Sequence, residues 1–412
     1  MGDYGEIIIA DGGQLIHNDA VTATLQKNIS AYTVLANQGE SKTNGWYTIA
    51  SPVTVNLNKE CVAIDEYDLY LYNEPTHYWW NAKDGSGHGF NTLSNGHGYL
   101  YANEKNVTLN FTGPMQATSA NVSVPLSYTE AADNLKGYNL VGNPFTCNLT
   151  DAILVGASPL TTYMYVANGN EMVTATLSDR PIQPGEGFFV QASGAEQNLV
   201  FNHEVSEPNK TAFIRIEAGD NSFMDRAYVQ FGQGNTLHKM TINDDVPHLS
   251  IQQGRDDYAS TTIKADHGTI PVSFKAATNG SYTITVSHEG MEMDYLHLID
   301  NLTGADTDLL SEPSYTFTAS NHDYASRFRL VYSSGTTTEE SDNENFAFIN
   351  DGQIILSGVI GDATVQLIDM NGRVVYCRDA VHTISTSGMT SGVYVLRLIQ
   401  DDIVKTQKIV IG

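Results

Sequence analysis

The sequence lacks the features that define several large classes of protein. Among its 412 residues only Cys61, Cys147 and Cys377 are cysteines. Because this number is odd and no CxxC pair occurs, a disulfide framework and a structural zinc site are disfavoured. We expect the three cysteines to behave as small apolar residues in or near cores. No run of 18 apolar residues occurs, so no segment is predicted to span a bilayer. The first residues lack the charged and apolar regions of a signal peptide, so export would require that a signal has been removed.

Basic residues are also scarce. The chain has 21 Lys and Arg against 47 Asp and Glu, which gives a formal net charge of −26. A field of this sign repels phosphate backbones and anionic headgroups. We therefore expect neither nucleic acid nor a membrane surface as a partner.

Motifs of the common enzyme classes are missing too. The sequence has no Gly-x-Ser-x-Gly elbow, HExxH, P-loop or dinucleotide fingerprint. A glycan hydrolase remains an alternative, and it would need two acids about 5–10 Å apart in a cleft. Asp65, Glu66 and Asp68 could form a general-acid pair or a calcium site, but acids beside a strand are more often a solvated strand end. We expect a protein that is not an enzyme.

What the sequence does contain favours β-structure. It has 35 Gly, 22 Tyr and 14 Phe with only 17% charged residues, a composition typical of pleated strands and tight turns. No stretch carries a sustained helical period. The length predicts roughly two to four domains. We expect an all-β protein of several antiparallel β-sandwich domains.

One pattern occurs twice within residues 1–208. Residues 45–52 and 137–144 are similar and end at Pro52 and Pro144, and each opening is followed by aromatic alternation and a Gly-x-Gly-aromatic close at Gly98 or Gly187. Landmarks in the same order at offsets of about 90 residues predict an internal duplication. The predicted copies span residues 45–112 and 137–202. The glycines of the close should lie where a side chain would clash or where φ is positive.

The region after the duplication has a different pattern. Short alternating strands with turn residues between them predict a second β-sandwich domain over residues 209–332. Residues 333–345 have no apolar member and several acids, so they predict a flexible linker.

Residues 346–412 form the last predicted domain. Asn371-Gly372-Arg373 follows a strand, and Asn-Gly at this point predicts a type I′ hairpin turn. A Gly392-Val393-Tyr394 strand and an apolar closing strand from Lys405 to Ile411 follow in order. In these three parts the region resembles the C-terminal sorting domains of the type IX secretion system of Bacteroidetes. The resemblance implies an immunoglobulin-like sandwich, interaction with the secretion machinery, and export across the outer membrane to the cell surface or beyond, with removal or anchoring there.

The rest of the chain resembles β-rich surface and adhesin-like proteins of the same bacteria. The features that carry this resemblance are the Asn-Pro opening with its Gly-x-Gly-aromatic close, residues 298–301 and residues 327–330. It implies an adhesin-like module that binds an extracellular glycan or a host or matrix protein. Such proteins share scaffolds while their ligands vary, so a structural stalk without its own ligand is the alternative.

Tyr78-Trp79-Trp80 is the predicted ligand-binding stretch. Adjacent strand residues point to opposite faces, so one tryptophan should pack inward and the other should be exposed. An exposed indole offers a flat apolar face for a sugar ring. Packing of both tryptophans in the core is the alternative. The histidines around this stretch are predicted to be solvated loop residues: His77, His88 and His97.

Three carboxylates around Gly304 form the predicted metal site. Asp300, Asp306 and Asp308 could supply oxygen ligands to calcium, although their spacing does not fit an EF-hand. Capping of a turn by their side chains is the alternative. We expect no other cofactor.

Overall fold

In the computed structural model the chain is almost entirely β-structure. One short α-helix, one 3₁₀ helix and 34 strands are formed by the described residues. No helix among them is long and apolar enough to cross a membrane. The residues that the structure describes are 6–33, 44–63, 67–130, 134–149, 153–154, 160–167, 169–201, 212–232, 234–263, 267–334, 346–350, 352–356, 363–379, 381–400 and 403–412.

Contacts divide the chain into two compact units. Unit 1 comprises residues 1–263, 273–287 and 316–325, and unit 2 comprises residues 264–272, 288–315 and 326–412. The boundary predicted after residue 208 does not coincide with a boundary of these units.

The first copy of the repeat contains nine strands and both helices. The α-helix begins where the side chain of Asn58 accepts hydrogen bonds from two backbone N–H groups, a standard N-cap. The elements are β1 (Ile8–Ile9), β2 (Val21–Ile29), β3 (Tyr47–Ala50), β4 (Val55–Asn56), α1 (Lys59–Val62), β5 (Tyr67–Asn73), the 3₁₀ helix (Glu74–Thr76), β6 (Tyr78–Asn81), β7 (Thr92–Leu93), β8 (Gly98–Asn103) and β9 (Val107–Met115).

The second copy contains seven strands, and the remainder of the chain contains eighteen. Those of the second copy are β10 (Val122–Pro125), β11 (Tyr138–Gly142), β12 (Ile153–Leu154), β13 (Thr162–Ala167), β14 (Glu171–Thr176), β15 (Gly187–Gln191) and β16 (Asn198–Phe201). The next eleven are β17 (Ala212–Gly219), β18 (Met224–Phe231), β19 (Leu237–His238), β20 (His248–Gln253), β21 (Asp256–Ile263), β22 (His267–Lys275), β23 (Gly280–Glu289), β24 (Met293–Asp300), β25 (Asp306–Asp308), β26 (Ser314–Ala319) and β27 (Phe328–Ser334). The last seven are β28 (Ala347–Asn350), β29 (Gln353–Leu356), β30 (Thr364–Asp369), β31 (Val374–Asp379), β32 (Thr383–Ser385), β33 (Gly392–Gln400) and β34 (Ile403–Ile411).

The two copies have equivalent strand orders, as an internal duplication predicts. Their four-stranded sheets have the orders β3-β8-β5-β6 and β11-β15-β13-β14. Ala50 pairs with Gly98 in the first copy, and Gly142 pairs with Gly187 in the second. The repeat begins earlier than predicted, because the strand that precedes each opening, β2 or β10, pairs with the last strand of its copy, β9 or β16. Each copy therefore has a three-stranded and a four-stranded sheet, and the first copy also has a two-stranded sheet of β4 and β7.

Within unit 1 the copies meet through a reciprocal pair of backbone hydrogen bonds. The N–H of Ala50 donates to the carbonyl of Gly185 at 2.9 Å, and the N–H of Gly142 donates to the carbonyl of Gly96 at 2.9 Å. The opening strand of each copy thus binds the closing turn of the other. This exchange between equivalent positions is the arrangement that a pseudo-twofold axis produces.

The two backbones approach each other closely at Gly98 and Gly187, which explains why the Gly-x-Gly-aromatic segment of each copy has glycine there. A Cβ atom at Gly98 would lie 2.5 Å from the carbonyl oxygen of Val141, and one at Gly187 would lie 2.9 Å from that of Ile49. No side chain fits at these distances without a backbone shift. The preceding glycine of each pair has a positive φ, as predicted from the sequence.

Each copy has its own hydrophobic core. The first core includes Leu25, Tyr101 and Phe111, and the second includes Phe145, Phe188 and Phe201. Cys61 and Cys147 are buried in these cores as expected, but Cys377 is exposed, since β31 is an edge strand. None of the three forms a disulfide.

Unit 1 also contains a further sheet of the order β20-β21-β18-β17-β23-β26. Phe274 packs against Tyr282 and Phe317, with ring centroids 5.1 and 5.2 Å apart. The Tyr282 hydroxyl donates to the carbonyl of Thr278 at 2.7 Å. This backward hydrogen bond fixes the start of β23.

Unit 2 contains the sheet β25-β24-β27-β22 and a two-sheet sandwich. The sandwich comprises β28-β29-β32 and β31-β30-β33-β34 around a core that includes Val365, Leu367 and Leu396. Phe348 of this sandwich packs in a cluster with Tyr295. Ser333 and Ser334, the first residues of the predicted linker, are the end of β27, and residues 335–345 lie outside the described part of the chain.

Candidate functional site

The predicted binding stretch divides between the two faces of a sheet. Trp79 pairs with Tyr72, and Trp80 pairs with Leu71. Tyr78 is 71% exposed, while both tryptophans are half-buried. Trp80 stacks on His88, with ring centroids 4.8 Å apart. The expectation of one buried and one exposed tryptophan is therefore replaced by two half-buried rings on opposite faces.

Trp79 lines an open cleft of about 480 Å³ in unit 1. Its floor is the face of the first-copy sheet that carries Tyr70 and Leu100, and Trp46 lies at the start of that sheet. The opposite wall is formed by Met240, Thr241 and Ile242. They belong to the part of unit 1 that follows the second copy, residues 212–263, 273–287 and 316–325, which we call the third region. The complete lining is Trp46, Tyr70, Tyr72, His77, Trp79, Leu100, Leu135, Met240, Thr241 and Ile242. We call this feature the aromatic cleft.

Contacts between rings fix the orientation of the cleft aromatics. Trp79 lies edge-on to Tyr72 at 5.3 Å and to Phe189 at 6.0 Å. Trp46 lies edge-on to Tyr70 at 5.8 Å. Edge-to-face pairs at these distances are favourable, so the rings are held in place before any ligand enters. A preorganised platform lowers the entropic cost of binding.

The lining is uncharged. None of its ten residues is Asp, Glu, Lys or Arg. Its polar side-chain groups are the hydroxyls of the tyrosines and Thr241, the indole N–H groups of the tryptophans and the imidazole of His77. His77 has φ of 55°, a left-handed conformation that is uncommon outside glycine, and its N–H donates to the Glu74 carbonyl at 3.2 Å. A mostly apolar cleft with a few polar groups is the usual form of a small-ligand site.

A buried ion pair holds the wall of the cleft. Lys239, next to Met240, binds the carboxylate of Asp225 at 2.6 Å, with side chains 7% and 5% exposed. The Lys239 N–H donates to the Asp257 carbonyl at 2.7 Å, and the Tyr138 hydroxyl donates to the carbonyl of His238. The wall is thus fixed both to the neighbouring strands β18 and β21 and to the second copy.

Trp46 and Tyr70 were not predicted as site residues. The signal for Tyr70 was its alternation with Tyr72, which places both side chains on one face of β5. Trp46 lies in the repeat opening, which we interpreted as architecture. Neither pattern indicates which face of the sheet stays open to solvent, because that depends on the packing of the third region.

The structure does not bring the three predicted calcium ligands together. Asp300 is 1% exposed, and its carboxylate accepts hydrogen bonds from Arg327 at 3.0 and 2.7 Å. Burial opposes ionisation of Asp300, but the hydrogen bonds from Arg327 and from the Leu302 N–H outweigh it and lower its pKa to about 2. Asp300 is therefore a buried partner of an arginine.

The other two carboxylates both lie beside His297, with Asp308 Oδ1 3.9 Å from its Nε2. Asp306 binds His297 Nδ1 at 2.7 Å. Asp308 accepts from the Leu310 N–H at 3.0 Å and from the Ser311 hydroxyl at 2.7 Å, which is turn capping. Nowhere in the described chain do three or more His, Cys, Asp or Glu side chains form a group that could hold a metal ion.

The histidines near the tryptophans differ in environment. His97 is not a solvated loop residue, because it pairs with Val141 of the other copy and burial lowers its pKa. His88 is exposed against Trp80. Of the candidate acids, Asp65 and Glu66 lie outside the described residues.

The turn of the predicted sorting motif is built by Asp369. Its carboxylate accepts from the N–H groups of Asn371 and Arg373 at 3.0 Å each, and its carbonyl accepts from Gly372 N–H at 2.9 Å. Gly372 has φ of 78°, whereas Asn371 has no positive φ. The predicted type I′ turn is therefore wrong. The loop has three residues and ends in a left-handed glycine, which the side chain of Asp369 stabilises.

The remaining motif residues organise the last two strands. Gly392 begins β33, and the hydroxyl of Tyr394 donates to the Thr390 carbonyl at 2.7 Å. Lys405 is exposed on β34 and pairs with Leu398. β34 is the edge strand of its sheet, which leaves one side of its backbone available.

Comparisons with known proteins identify the C-terminal region. Residues 350–412 match the family described as "Secretion system C-terminal sorting domain". No curated protein matches the chain. A solved structure titled "Biofilm associated protein - BSP domain" is 10% identical, with 100% of this chain and 98% of that chain covered, but its TM-score of 0.16 is too low to carry an argument. The sorting domain shows that the protein is exported by the type IX system to the cell surface or the exterior.

Proposed function

We propose that this exported protein is an adhesin-like binding module that holds an extracellular glycan in the aromatic cleft. The observation that carries the proposal is the cleft itself, in which Trp46, Tyr70 and Trp79 surround an open volume of about 480 Å³. The proposal involves no chemical transformation and no bound metal.

The chemistry of the lining favours a sugar. A pyranose ring has an apolar face of C–H groups that stacks on an indole or phenol ring. Its hydroxyls need hydrogen-bond partners, and Thr241, His77 and the tyrosine hydroxyls can provide them. An apolar side chain of a host or matrix protein would also fill the cleft, but it would displace water from the hydroxyls of Tyr70 and Thr241 without offering them a hydrogen bond.

A structural stalk without its own ligand is the second candidate. A stalk has no need for an open cleft, and the second copy shows that the same sheet face can be packed fully. The cleft therefore favours binding over a purely structural role.

The test uses the small number of tryptophans. The chain has three, and two of them line the cleft. In a Trp80→Phe variant all indole fluorescence comes from Trp46 and Trp79, so a saccharide that enters the cleft should change it. Glycan-array screening of the soluble chain would first identify which saccharides to titrate.

Substitution then separates binding from folding. Trp79→Ala should weaken binding of an array-positive saccharide by about 1–3 kcal/mol, as for other stacking platforms. Met172, the matched position in the second copy, is 5% exposed, so Met172→Ala should reduce stability while the affinity is retained. Absence of saccharide binding, or binding that Trp79→Ala leaves unchanged, would contradict the proposal.

We also propose that the C-terminal sandwich is immunoglobulin-like. It has seven strands in a three-stranded and a four-stranded sheet. The Tyr394 hydroxyl bonds to the backbone four residues upstream, as does the tyrosine corner of such domains. Tyr394→Phe should lower the stability of the chain by about 1 kcal/mol in urea denaturation.

A further inference from the structure

We infer that the aromatic cleft selects neutral saccharides and excludes those that carry carboxylate or sulfate groups. This inference rests on the proposed function and specifies the class of ligand. It follows from a contrast in charge between the cleft and the rest of the chain.

The chain has a large net negative charge, but the residues that line the cleft are uncharged. The sequence has 47 acidic and 21 basic residues, and none of them is among the ten lining residues. The nearest buried ion pair of the wall, Lys239 with Asp225, is internally satisfied: Asp225 accepts from Lys239 at 2.6 and 2.7 Å and from the Leu249 N–H at 2.7 Å. Lys239 therefore offers no free cation to a ligand.

An anionic sugar would lose hydration without gaining a partner. A carboxylate that leaves water needs an arginine, a lysine or several N–H donors to offset its desolvation. The lining side chains offer hydroxyls, two indole N–H groups, one imidazole and ring faces that are negative at their centres, and none of them is a cation like those of arginine or lysine. The net charge of −26 adds long-range repulsion of an anion. A neutral sugar, whose polar groups are hydroxyls, incurs neither the desolvation cost of a charge nor this repulsion.

The experiment compares two matched series of ligands on the Trp80→Phe protein. The neutral series consists of oligosaccharides of glucose, galactose and mannose, and the anionic series consists of oligogalacturonides and oligoglucuronates of equal length. We expect the neutral series to bind at least about tenfold more tightly. Its dissociation constants should not change between about 20 and 300 mM NaCl, because no charge interaction is screened.

A charge placed on the rim sharpens the test. Thr241 is exposed at the wall, so Thr241→Lys should improve binding of the anionic series relative to the neutral one by about tenfold. Thr22, exposed on β2 away from the lining residues, supplies the control. Thr22→Lys makes the same change in net charge and should leave the preference unaltered.

The outcomes distinguish this inference from the proposed function. Equal or tighter binding of the anionic series, with both series weakened by Trp79→Ala, would overturn the neutral selectivity and leave the glycan site in place. Failure of both series to bind would overturn the proposed function and this inference together. Equal effects of Thr241→Lys and Thr22→Lys would show that net charge and not the cleft sets the preference.

Discussion

The two copies of the repeat share one backbone arrangement, but the corresponding faces of their four-stranded sheets are packed differently. Their four-stranded sheets share strand order and register, and the corresponding faces differ only in side chains and in what covers them. The corresponding positions on these faces are Trp46 and Tyr138, Tyr70 and Met164, Tyr72 and Val166, and Trp79 and Met172. The first copy is aromatic and partly open, and the second is mainly aliphatic and packed.

What closes the second face is the third region of unit 1. Leu237, Met240 and Ala259 cluster with Tyr138 and Phe189 of the second copy. Met240 also forms a wall of the aromatic cleft. The same segment thus completes one core and borders one cavity. Duplication supplied two equivalent faces, and the packing of a third element made them unequal.

The largest difference in stability between the two faces should appear when the central side chain of each face is truncated to alanine. Phe189 is fully buried, so Phe189→Ala should cost about 3–5 kcal/mol of unfolding free energy. Leu100 occupies the corresponding position but lines the cleft, so Leu100→Ala should cost about 2 kcal/mol. Urea denaturation of both variants measures the contrast. Equal losses would mean that the first face is packed as fully as the second.

The glycine junction between the copies should be the next most sensitive feature. A methyl group at Gly98 would lie 2.5 Å from the Val141 oxygen, so Gly98→Ala should destabilise the chain by about 1–3 kcal/mol through overpacking. Gly194 has open space around it, and Gly194→Ala should change stability by less than about 0.5 kcal/mol. If thermal or urea midpoints of the two variants coincide, the junction is looser than the distances indicate.

Removal of one hydroxyl from each face should give a smaller contrast. Tyr138 is buried and donates to the His238 carbonyl, so Tyr138→Phe should cost about 1 kcal/mol because that carbonyl loses its donor. Tyr70 is half-buried at the cleft, and Tyr70→Phe should change stability by less than about 0.5 kcal/mol. A larger loss for Tyr70→Phe in urea denaturation would reverse the assignment of the open face.

The smallest effect concerns pH at the two closing turns. His97 and Glu186 occupy corresponding positions, and burial lowers the pKa of His97. The unfolded chain then binds a proton more readily, so stability should be complete above about pH 6.5 and fall as the pH drops toward the folded pKa. His97→Gln should remove part of this dependence, less than about 1.4 kcal/mol, when urea midpoints at pH 7.5 and 5.5 are compared.

His88→Gln is the matched control for that measurement, since His88 is exposed. Burial also lowers the pKa of His238 and His248, so some pH dependence should remain in both variants. A pH profile that is the same for His97→Gln and the unsubstituted chain would place His97 in contact with solvent.

The sequence by itself determined the all-β class, the duplication and the sorting domain. These properties depend on patterns that are visible in the sequence: period-two alternation, landmarks repeated at a nearly constant offset, and turn residues at fixed spacings. Thr390 to Tyr394 and Thr278 to Tyr282 illustrate this, because in each a Thr-x-Gly-x-Tyr pattern gives the same backward hydrogen bond at 2.7 Å. Turn signals of this kind lie within a few residues, and the duplication is recognised by comparing the sequence with itself, so neither requires knowledge of the packing.

Only the tertiary structure decided where the cleft lies and which carboxylates are paired with other side chains of the protein. Trp79 faces the cleft and Trp80 does not, although they are adjacent, because Met240 and its neighbours border one face of the sheet alone. Asp300 resembled a calcium ligand until Arg327, 27 residues away, proved to be its partner. Both outcomes depend on which distant segments meet, and spacing along the chain does not encode that packing.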